Sequence, residues 1–575
     1  MGTIITSEAK CRDCYKCIRH CPVKATGMKE DQSWVIEEKC ILCGECIAIC
    51  PQNAKSTLSA LAQFEGLLDN KEKVAVSLAP SYLAATDYSS PWKLVAALRK
   101  IGVGIIEETA LGAELVSLQY QSLYLKKEQE CLISSCCPAV VSLVKKHYPQ
   151  LLTFLAPLIS PMLIHGKSLK ERLGPEWKVV FIGPCFAKKE EALADQSLPV
   201  DLVLTFEELT AYFSELQLDP ERLTDAFPDT VSGTARSYPL PRGILALSGI
   251  EDAITADVTT VDGLEEVMTL FDDIKRGDVT PRFIEAMACK GGCIGGTAID
   301  SSLGLAARKK RLLNFLAQRT DAITGNKDKM GKISLAKKHV KVRQKDFPLP
   351  SAEEIRKILA LTGKFTAEDE TDCGGCGYHS CRDKAIAVYQ GLAEPKMCVP
   401  YMRARAESLS NAVVDSSMNA VIIVDEEMII QEFNPAANQM LNRKGVKAKG
   451  RHISAFVDPA DYLYVWQQKK RIVDKYKEYR EYGLITRENI YPLEKYGVII
   501  AIMTDVTEEE RRKTEIDNMK QGALERAKRV IREQMKVAQE IASLLGESTA
   551  ETKSTLLELV EIMNEKEART GEDKS

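Results

Sequence analysis

The chain has 575 residues, 45% of them apolar, and a net charge of −4 from 77 basic and 81 acidic side chains. That length is enough for about three to five domains with real cores, and the near-neutral balance gives no reason to expect a nucleic-acid partner. No apolar run reaches the roughly 18 residues of a membrane span, and the first residues lack a basic segment followed by an apolar stretch; the expectation is a cytoplasmic protein with no membrane partner.

The 18 cysteines carry more information than the bulk numbers. They cluster at 11–50, 131–137, 185, 289–293 and 373–398. In a reducing compartment, clustered thiolates point to metal and above all to iron–sulfur chemistry rather than to disulfides.

Residues 1–58 carry one pattern twice. Cys11, Cys14, Cys17 and Cys21 are followed by Pro22; Cys40, Cys43, Cys46 and Cys50 are followed by Pro51. This is the two-cluster ferredoxin run, in which the fourth cysteine of each run ligates the other cluster. One 4Fe-4S cluster is therefore expected on Cys11, Cys14, Cys17 and Cys50, and a second on Cys40, Cys43, Cys46 and Cys21. Zinc sites use pairs of cysteines, not a triplet with a distant fourth cysteine and a proline.

Residues 70–320 alternate short apolar runs with helical stretches. Strands are predicted at 74–79, 103–107, 130–134, 179–183, 202–205, 243–247 and 283–288. Several are followed at once by a Pro, Gly or Cys motif, as in an α/β region whose sites lie beyond the carboxyl ends of its strands. Three such motifs carry five cysteines: Ser134-Ser135-Cys136-Cys137-Pro138; Gly183-Pro184-Cys185-Phe186-Ala187-Lys188; and Ala288-Cys289-Lys290-Gly291-Gly292-Cys293. Four thiolates from three loops suffice for a cubane, and the adjoining glycines let backbone approach it. The residues alone imply a buried iron–sulfur site with a spare cysteine and a nearby lysine.

In order and spacing these three motifs resemble the signatures of FeFe-hydrogenases. The resemblance implies an H-cluster, a 4Fe-4S cubane linked through one cysteine to a diiron unit bearing CO, cyanide and an azadithiolate bridge. By position, Cys137, Cys185, Cys289 and Cys293 then hold the cubane, and Cys293 also reaches the diiron unit. The resemblance also gives Cys136 the passage of protons, and Lys188 and Ser81 hydrogen bonds to cyanide. The chain departs from the family pattern at Gly183, where productive members carry Met, and at Lys290, where they carry Pro. It also has Tyr120 and Leu123 in place of two proton-relaying glutamates. A relay needs groups that give and take protons, so slow turnover is expected. Glu107, Glu108, Glu114 and Glu285 are candidate substitutes. Cys131 has no assigned role and reads as a buried structural thiol.

Residues 320–350 are polar and Lys-rich and read as a linker or surface excursion. Residues 351–405 hold Cys373, Cys376, Cys381 and Cys398, whose spacing resembles a small 4Fe-4S module; zinc is the alternative. Within it, His379 reads as a hydrogen-bonding residue. Residues 409–508 resemble a PAS domain through the Ala420–Asp425 run, Asn434-Pro435-Ala436-Ala437 and the exit Asp505-Val506-Thr507. His452 reads as structural, and no ligand is assigned. Residues 509–570 are charged and helical, with a heptad-like seam at Ala523, Ala527, Val530, Gln534, Val537, Ile541 and Leu544.

The fold class expected is thus multidomain α/β and α+β: a ferredoxin-like domain, an α/β FeFe-hydrogenase domain, a small 4Fe-4S module, a PAS domain and a C-terminal helix or coiled coil. The order is similar to that of sensory FeFe-hydrogenases of anaerobic bacteria. That likeness implies slow, reversible conversion of H2 to protons and electrons, a redox partner such as a ferredoxin, and homodimerisation through the PAS domain and helix. Output would pass to a kinase or phosphatase in trans. The rivals are a non-catalytic iron–sulfur redox sensor lacking the diiron unit and an ordinary fermentative hydrogenase.

Overall fold

Internal symmetry at the N-terminus is visible in the backbone before any cluster is considered. The computed structural model describes residues 4–194, 197, 199–230, 233, 235–250, 257–317, 334–342, 347–545 and 553–561. The residues flanking the second cysteine of each run are left-handed in both copies: Asp13 and Tyr15 in the first (φ 41° and 57°), Leu42 and Gly44 in the second (φ 56° and 82°). Each run then enters a short helix, Lys16–His20 or Glu45–Ala48. Strands Ile4–Thr6 and Lys55–Thr57 pair antiparallel and bring the two ends of this segment together; Thr26–Lys29 and Gln32–Val35 form the second ribbon.

Among the described residues the central region holds seven strands in two parallel sheets. We number them β1 (Lys73–Leu78), β2 (Ile105–Glu108), β3 (Leu132–Ile133), β4 (Trp177–Gly183), β5 (Leu202–Thr205), β6 (Val258–Asp262) and β7 (Phe283–Met287). One sheet has the order β2-β1-β4-β5 and the other β6-β7-β3. Both are parallel throughout. Strands β1, β4 and β5 are near-continuous apolar runs, as strands buried on both faces are. Helix Ala110–Lys126 packs closely on Pro161–Leu173, where a side chain at Gly112 would lie 2.4 Å from the Pro161 carbonyl oxygen.

Six of the seven predicted strands are present, but 243–247 is a helix, Gly243–Ser248. A five-residue apolar run has no period that separates helix from strand. Tertiary context decides it: the buried Glu285 carboxylate accepts the Leu245 N–H at 3.1 Å and so satisfies a donor at the buried N-terminus of this helix. Strand β6 carries no clear sequence signal, since Val258–Asp262 is half-buried and three of its five residues are polar.

The stretch read as a linker is partly docked. Residues 334–342 lie against the loop before Pro161: Ile159 N–H donates to the Leu335 carbonyl, Lys337 N–H to the Pro157 carbonyl, and His339 Nε2 lies 2.8 Å from the Ala156 carbonyl. Residues 320–333 and 343–346 lie outside the described residues.

By its contacts the chain divides into Met1–Met402 and Arg403–Ser575. In the second unit, strands β8 (Ala420–Asp425), β9 (Ile430–Phe433), β10 (Ile472–Tyr479), β11 (Leu484–Leu493) and β12 (Val498–Asp505) form one antiparallel sheet in the order β9-β8-β12-β11-β10. Along β8, Ala420, Ile422 and Val424 are buried and their neighbours less so, as a sheet with one core face requires. Buried Asn434 uses its whole amide: Oδ1 accepts from Val421 and Ala437, and Nδ2 donates to the Val414 and Asn419 carbonyls. Asp505 accepts from both the N–H and the hydroxyl of Thr507, which starts the helix Thr507–Leu545. The heptad positions Val530, Val537 and Ile541 are exposed on that helix. The side chain of Leu544 and residues 562–570 lie outside the described residues. Among the described residues no helix is long and apolar enough to cross a membrane.

Candidate metal centre

The loops after β3, β4 and β7 converge, because parallel strands place their carboxyl ends on one side. Cys136, Cys137, Cys185, Cys289 and Cys293 all line one cavity, with Ser81, Lys188, Tyr238 and Thr109. Cys293 has an open surface, but that surface faces the cavity rather than bulk solvent. The close approach depends on glycine. Gly292 is left-handed (φ 75°), and a side chain there would lie 2.3 Å from the Pro239 carbonyl oxygen.

Four of these thiols crowd one another. Burial pushes Cys185 up to about 11 and Cys293 up to about 12; Cys137 adds to both, and Cys185 adds to Cys293. Burial together with Cys185, Cys137 and Cys293 raises Cys289 as well. Four buried thiols in each other's field cannot ionise together without a cation among them, so this donor set suits a metal cluster. The soft thiolate set favours iron–sulfur.

The polar groups around the cysteines are poised rather than saturated. Lys188 Nζ donates to Glu191 at 2.7 Å and to the Cys136 carbonyl at 3.3 Å, which leaves one of its three N–H groups. Burial works against the Lys188 charge, but Glu191 and the neighbouring thiols outweigh it and hold the ammonium protonated. Ser81 Oγ is buried with no hydrogen-bond partner. The Tyr238 hydroxyl is also buried, with the Cys136 thiol as its polar neighbour. A buried hydroxyl left unmet costs about 1–3 kcal/mol, so such groups mark places where a ligand belongs.

The four glutamates proposed as relay substitutes separate cleanly. Glu107 is bound by Arg172, His165 and Thr230. Glu108 is bound by Arg236 and Tyr82. Glu114 is half-buried on helix Ala110–Lys126 and does not line the cavity. Glu285 has one unpartnered carboxylate oxygen. Burial raises it to about 7 against the backbone N–H groups of residues 242–245, and its charge helps to raise the Cys136 thiol. Tyr120, which stands at a usual glutamate position, accepts the Ser135 N–H at 2.8 Å, and burial keeps its hydroxyl protonated. Leu123 packs on the core.

The departures from the family pattern have local reasons. A side chain at Gly183 would lie 2.5 Å from the Phe181 ring, which itself lines the cavity. Lys290 points outward, with 78% of its side chain exposed, and pairs with Glu266 at 3.5 Å. Sequence reasoning missed Glu191 and Tyr238. Glu191 lies three residues after Lys188 on helix Ala187–Leu193, a spacing that could have flagged the pair. Tyr238 lies outside all three motifs and gave no signal.

The remaining cysteines, Cys131 apart, fall into three further groups: Cys11, Cys14, Cys17 and Cys50; Cys43 with Cys21, Cys40 and Cys46; and Cys373, Cys376, Cys381 and Cys398. Ala25 and Ala54 N–H groups donate to the sulfurs of Cys21 and Cys50 at 3.1 and 3.3 Å, the same bond in each repeat. Such donors stabilise cluster-bound sulfur. Cys11, Cys14, Cys17 and Cys50 line one small pocket. Cys43 faces the central site: Thr297 donates to its carbonyl at 2.8 Å, and its thiol acts on Cys289. Cys373, Cys376, Cys381 and Cys398 line another pocket with the buried Lys364 and Lys384; Lys364 Nζ lies 3.4 Å from Cys398 Sγ. Two ammonium groups there offset the negative charge of four thiolates. This loop rests on the ferredoxin segment, since Arg19 donates to both the Gly375 and Cys14 carbonyls, and Lys24 and Tyr378 each sense Cys21 and Cys376. Cys131 is buried and its thiol is raised to about 12, chiefly by burial. No group of three His, Cys, Asp or Glu among the described residues is placed to hold a single metal ion.

Three family models match the chain: "Iron only hydrogenase large subunit, C-terminal domain" over 72–297, "4Fe-4S dicluster domain" over 3–51, and an Fe-S cluster family over 369–400. The periplasmic Fe hydrogenase large subunit of Nitratidesulfovibrio vulgaris is 30% identical over 354 residues, covering 50% of this chain and 84% of that protein. The cytosolic Fe-S cluster assembly factor NAR1 of Eremothecium gossypii is 34% identical over 123 residues, 20% of this chain and 27% of that protein. Among solved structures, the FeFe-hydrogenase HydA1 of Chlamydomonas reinhardtii is 20% identical, with a TM-score of 0.38 over 49% of this chain and 99% of that one.

Proposed function

The chain belongs to the iron-only hydrogenase family, and from that premise we propose that it is a slow, H2-sensing oxidoreductase that interconverts H2 with protons and electrons. The observation that carries this reading is the set of unsatisfied groups beside Cys293. Unpartnered Ser81 Oγ, the spare N–H of Lys188 and the Cys136 thiol share its cavity. A cubane held by four thiolates has no need of these groups; a diiron unit with anionic ligands does. When bound, that unit would supply the chemistry of heterolytic H2 cleavage.

The residues of the chain then divide the work. Cys137, Cys185, Cys289 and Cys293 would hold the cubane, and Cys293 would also serve the diiron unit. Lys188, kept charged by Glu191, and Ser81 would donate hydrogen bonds to its cyanide ligands. Cys136 takes a proton from the cavity and passes it on to Glu285, whose carboxyl titrates near neutrality and suits a shuttle. Tyr238 stands beside that step. Phe181, Pro184 and Met162 give the cavity an apolar wall that excludes water. With Tyr120 and Leu123 where the usual relay would run, a single buried carboxyl limits the rate. Cys40, Cys43, Cys46 and Cys21 would hold a cubane near Cys289; Cys11, Cys14, Cys17 and Cys50 would hold a second, and Cys373, Cys376, Cys381 and Cys398 a third accessory one. These groups would supply one-electron carriers.

Residues 409–508 are read as a PAS sensor. The order β9-β8-β12-β11-β10, the saturated Asn434 turn and the Asp505–Thr507 junction support that reading. The exposed heptad side chains of Thr507–Leu545 support dimerisation with a second copy. A ferredoxin-like redox partner, a kinase or phosphatase in trans and a cytoplasmic location complete the proposal. The rival reading, a non-catalytic iron–sulfur protein, draws on the similarity to the assembly factor NAR1. One infrared spectrum of protein matured with the diiron cofactor separates the two: CO and cyanide bands are expected, and their absence overturns the hydrogen reading.

A further inference from the structure

Thr109 lines the cavity and stands at the head of a buried hydrogen-bond chain that the scheme above does not use. Its Oγ1 lies 2.7 Å from Ser77 Oγ, and Ser77 Oγ lies 2.8 Å from His165 Nδ1. His165 Nε2 lies 3.3 Å from Glu107 Oε2. Ser77 and His165 are fully buried, and Thr109 and Glu107 nearly so. The far end reaches outward: Arg172 grips Glu107 with two N–H groups at 3.2 and 2.6 Å, and 26% of its side chain is exposed.

The last member fixes the direction of the His165–Glu107 bond, and the other two directions follow for a neutral ring. Burial pushes the Glu107 carboxyl up, but His165 and Arg172 outweigh it and hold it down at about 2. An ionised carboxylate only accepts, so His165 Nε2 carries the proton. In a neutral ring Nδ1 is then the acceptor, Ser77 donates to it, and Thr109 donates to Ser77. For that ring all three bonds run away from the cavity that Thr109 lines, and none of them uses a lone pair of Thr109 Oγ1.

We infer that Thr109, Ser77 and His165 form a second proton conduit behind the cavity, with the His165–Glu107 pair as its buried proton store. A proton from the cavity binds Thr109 Oγ1. Thr109 gives its own proton to Ser77, and Ser77 gives its own to His165 Nδ1. The net change is one proton gained by the imidazole and one lost by the cavity, with no electron moved. The resulting imidazolium lies against the Glu107 carboxylate, and the thiolate cluster offsets the added charge. Thr109 meets the cavity directly; Ser77, His165 and Glu107 act through it as positioning residues. The inference rests on the proposed hydrogen chemistry for its purpose, but its geometry does not require that chemistry.

The test therefore begins with the full chain carrying its cubanes but no diiron unit. With 15N-labelled histidine, solvent exchange of the His165 ring proton is followed by NMR. Full exchange needs a proton to enter at Nδ1 and another to leave on the Glu107 side. Thr109→Val is expected to slow it about 10-fold with melting temperature unchanged, whereas Thr109→Ser keeps it within about twofold of wild type. Ser77→Ala is the second break in the chain, for use should Thr109→Val fold poorly. Wild-type exchange in both breaking variants, or slow exchange in Thr109→Ser, overturns the conduit. In the loaded protein, with the Glu285 route removed by Glu285→Gln, the breaking variants are expected to slow the residual H2/D2 scrambling by a similar factor with infrared bands in place. Scrambling that is unaffected when ring exchange slows overturns its role in turnover. Infrared bands and scrambling missing from the wild type itself, with the exchange result intact, sink the hydrogen reading and leave the conduit standing.

Discussion

Glu107 and Glu285 sit on parallel strands, β2 and β7, and both are almost wholly buried. Their environments push them in opposite directions. Glu107 meets a guanidinium, an imidazole and a hydroxyl and stays ionised. Glu285 meets only backbone N–H groups on one oxygen and nothing on the other. The contrast teaches that a buried carboxyl is a fixed charge or a movable proton according to whether its neighbours include a cation.

Four experiments break or sharpen that contrast. The largest effect is expected from Glu107→Gln. A carboxyl held at about 2 rather than 4.5 contributes about 3 kcal/mol at neutral pH. Its folded value is depressed, so the contribution is complete above pH 4.5 and fades as pH falls toward 2. Urea unfolding at pH 7 should show the loss, and a neutral result would mean that the ion pair contributes nothing.

Glu285→Gln should act with the opposite sign. The folded value of about 7 lies above the ordinary 4.5, so the native state binds the proton more tightly, and its advantage is present below 4.5 and lost as pH rises through 7. The variant is therefore expected to match wild type at pH 4.5 and to exceed it above pH 7, by up to about 3 kcal/mol. A pH-independent difference would remove Glu285 from the titrating groups.

Turnover distinguishes the two glutamates further. In protein loaded with the diiron unit, Glu285→Gln should reduce H2 evolution about 100-fold, as loss of a positioned acid–base group does. Because Cys136 is placed in series with it, adding Cys136→Ala should cost little more. Additive losses would mean two separate routes. The smallest effect is expected at Ser81. Replacing its unmet hydroxyl by Ala should stabilise the unloaded protein by about 1 kcal/mol, and in the loaded protein it should shift a cyanide band. No gain in the unloaded protein would mean that water already satisfies the hydroxyl.

The amino-acid order by itself determined the cluster nests. Cysteine intervals in the two N-terminal runs are short-range, so they survive in any fold that keeps the local turns, and the left-handed residues beside Cys14 and Cys43 occur in both copies. Six strands followed from apolar runs and their Pro, Gly or Cys stops. The reading failed at 243–247, where five apolar residues carry no period and a buried carboxylate 40 residues away made a helix. Tertiary structure alone decided which glutamate stays free near Cys136, that Glu191 fixes Lys188, that Tyr238 joins the site, and that Thr109 connects to His165. Each depends on groups distant in sequence meeting where water is excluded. A proton's position is set by the nearest charges and donors in space, which residue order does not list.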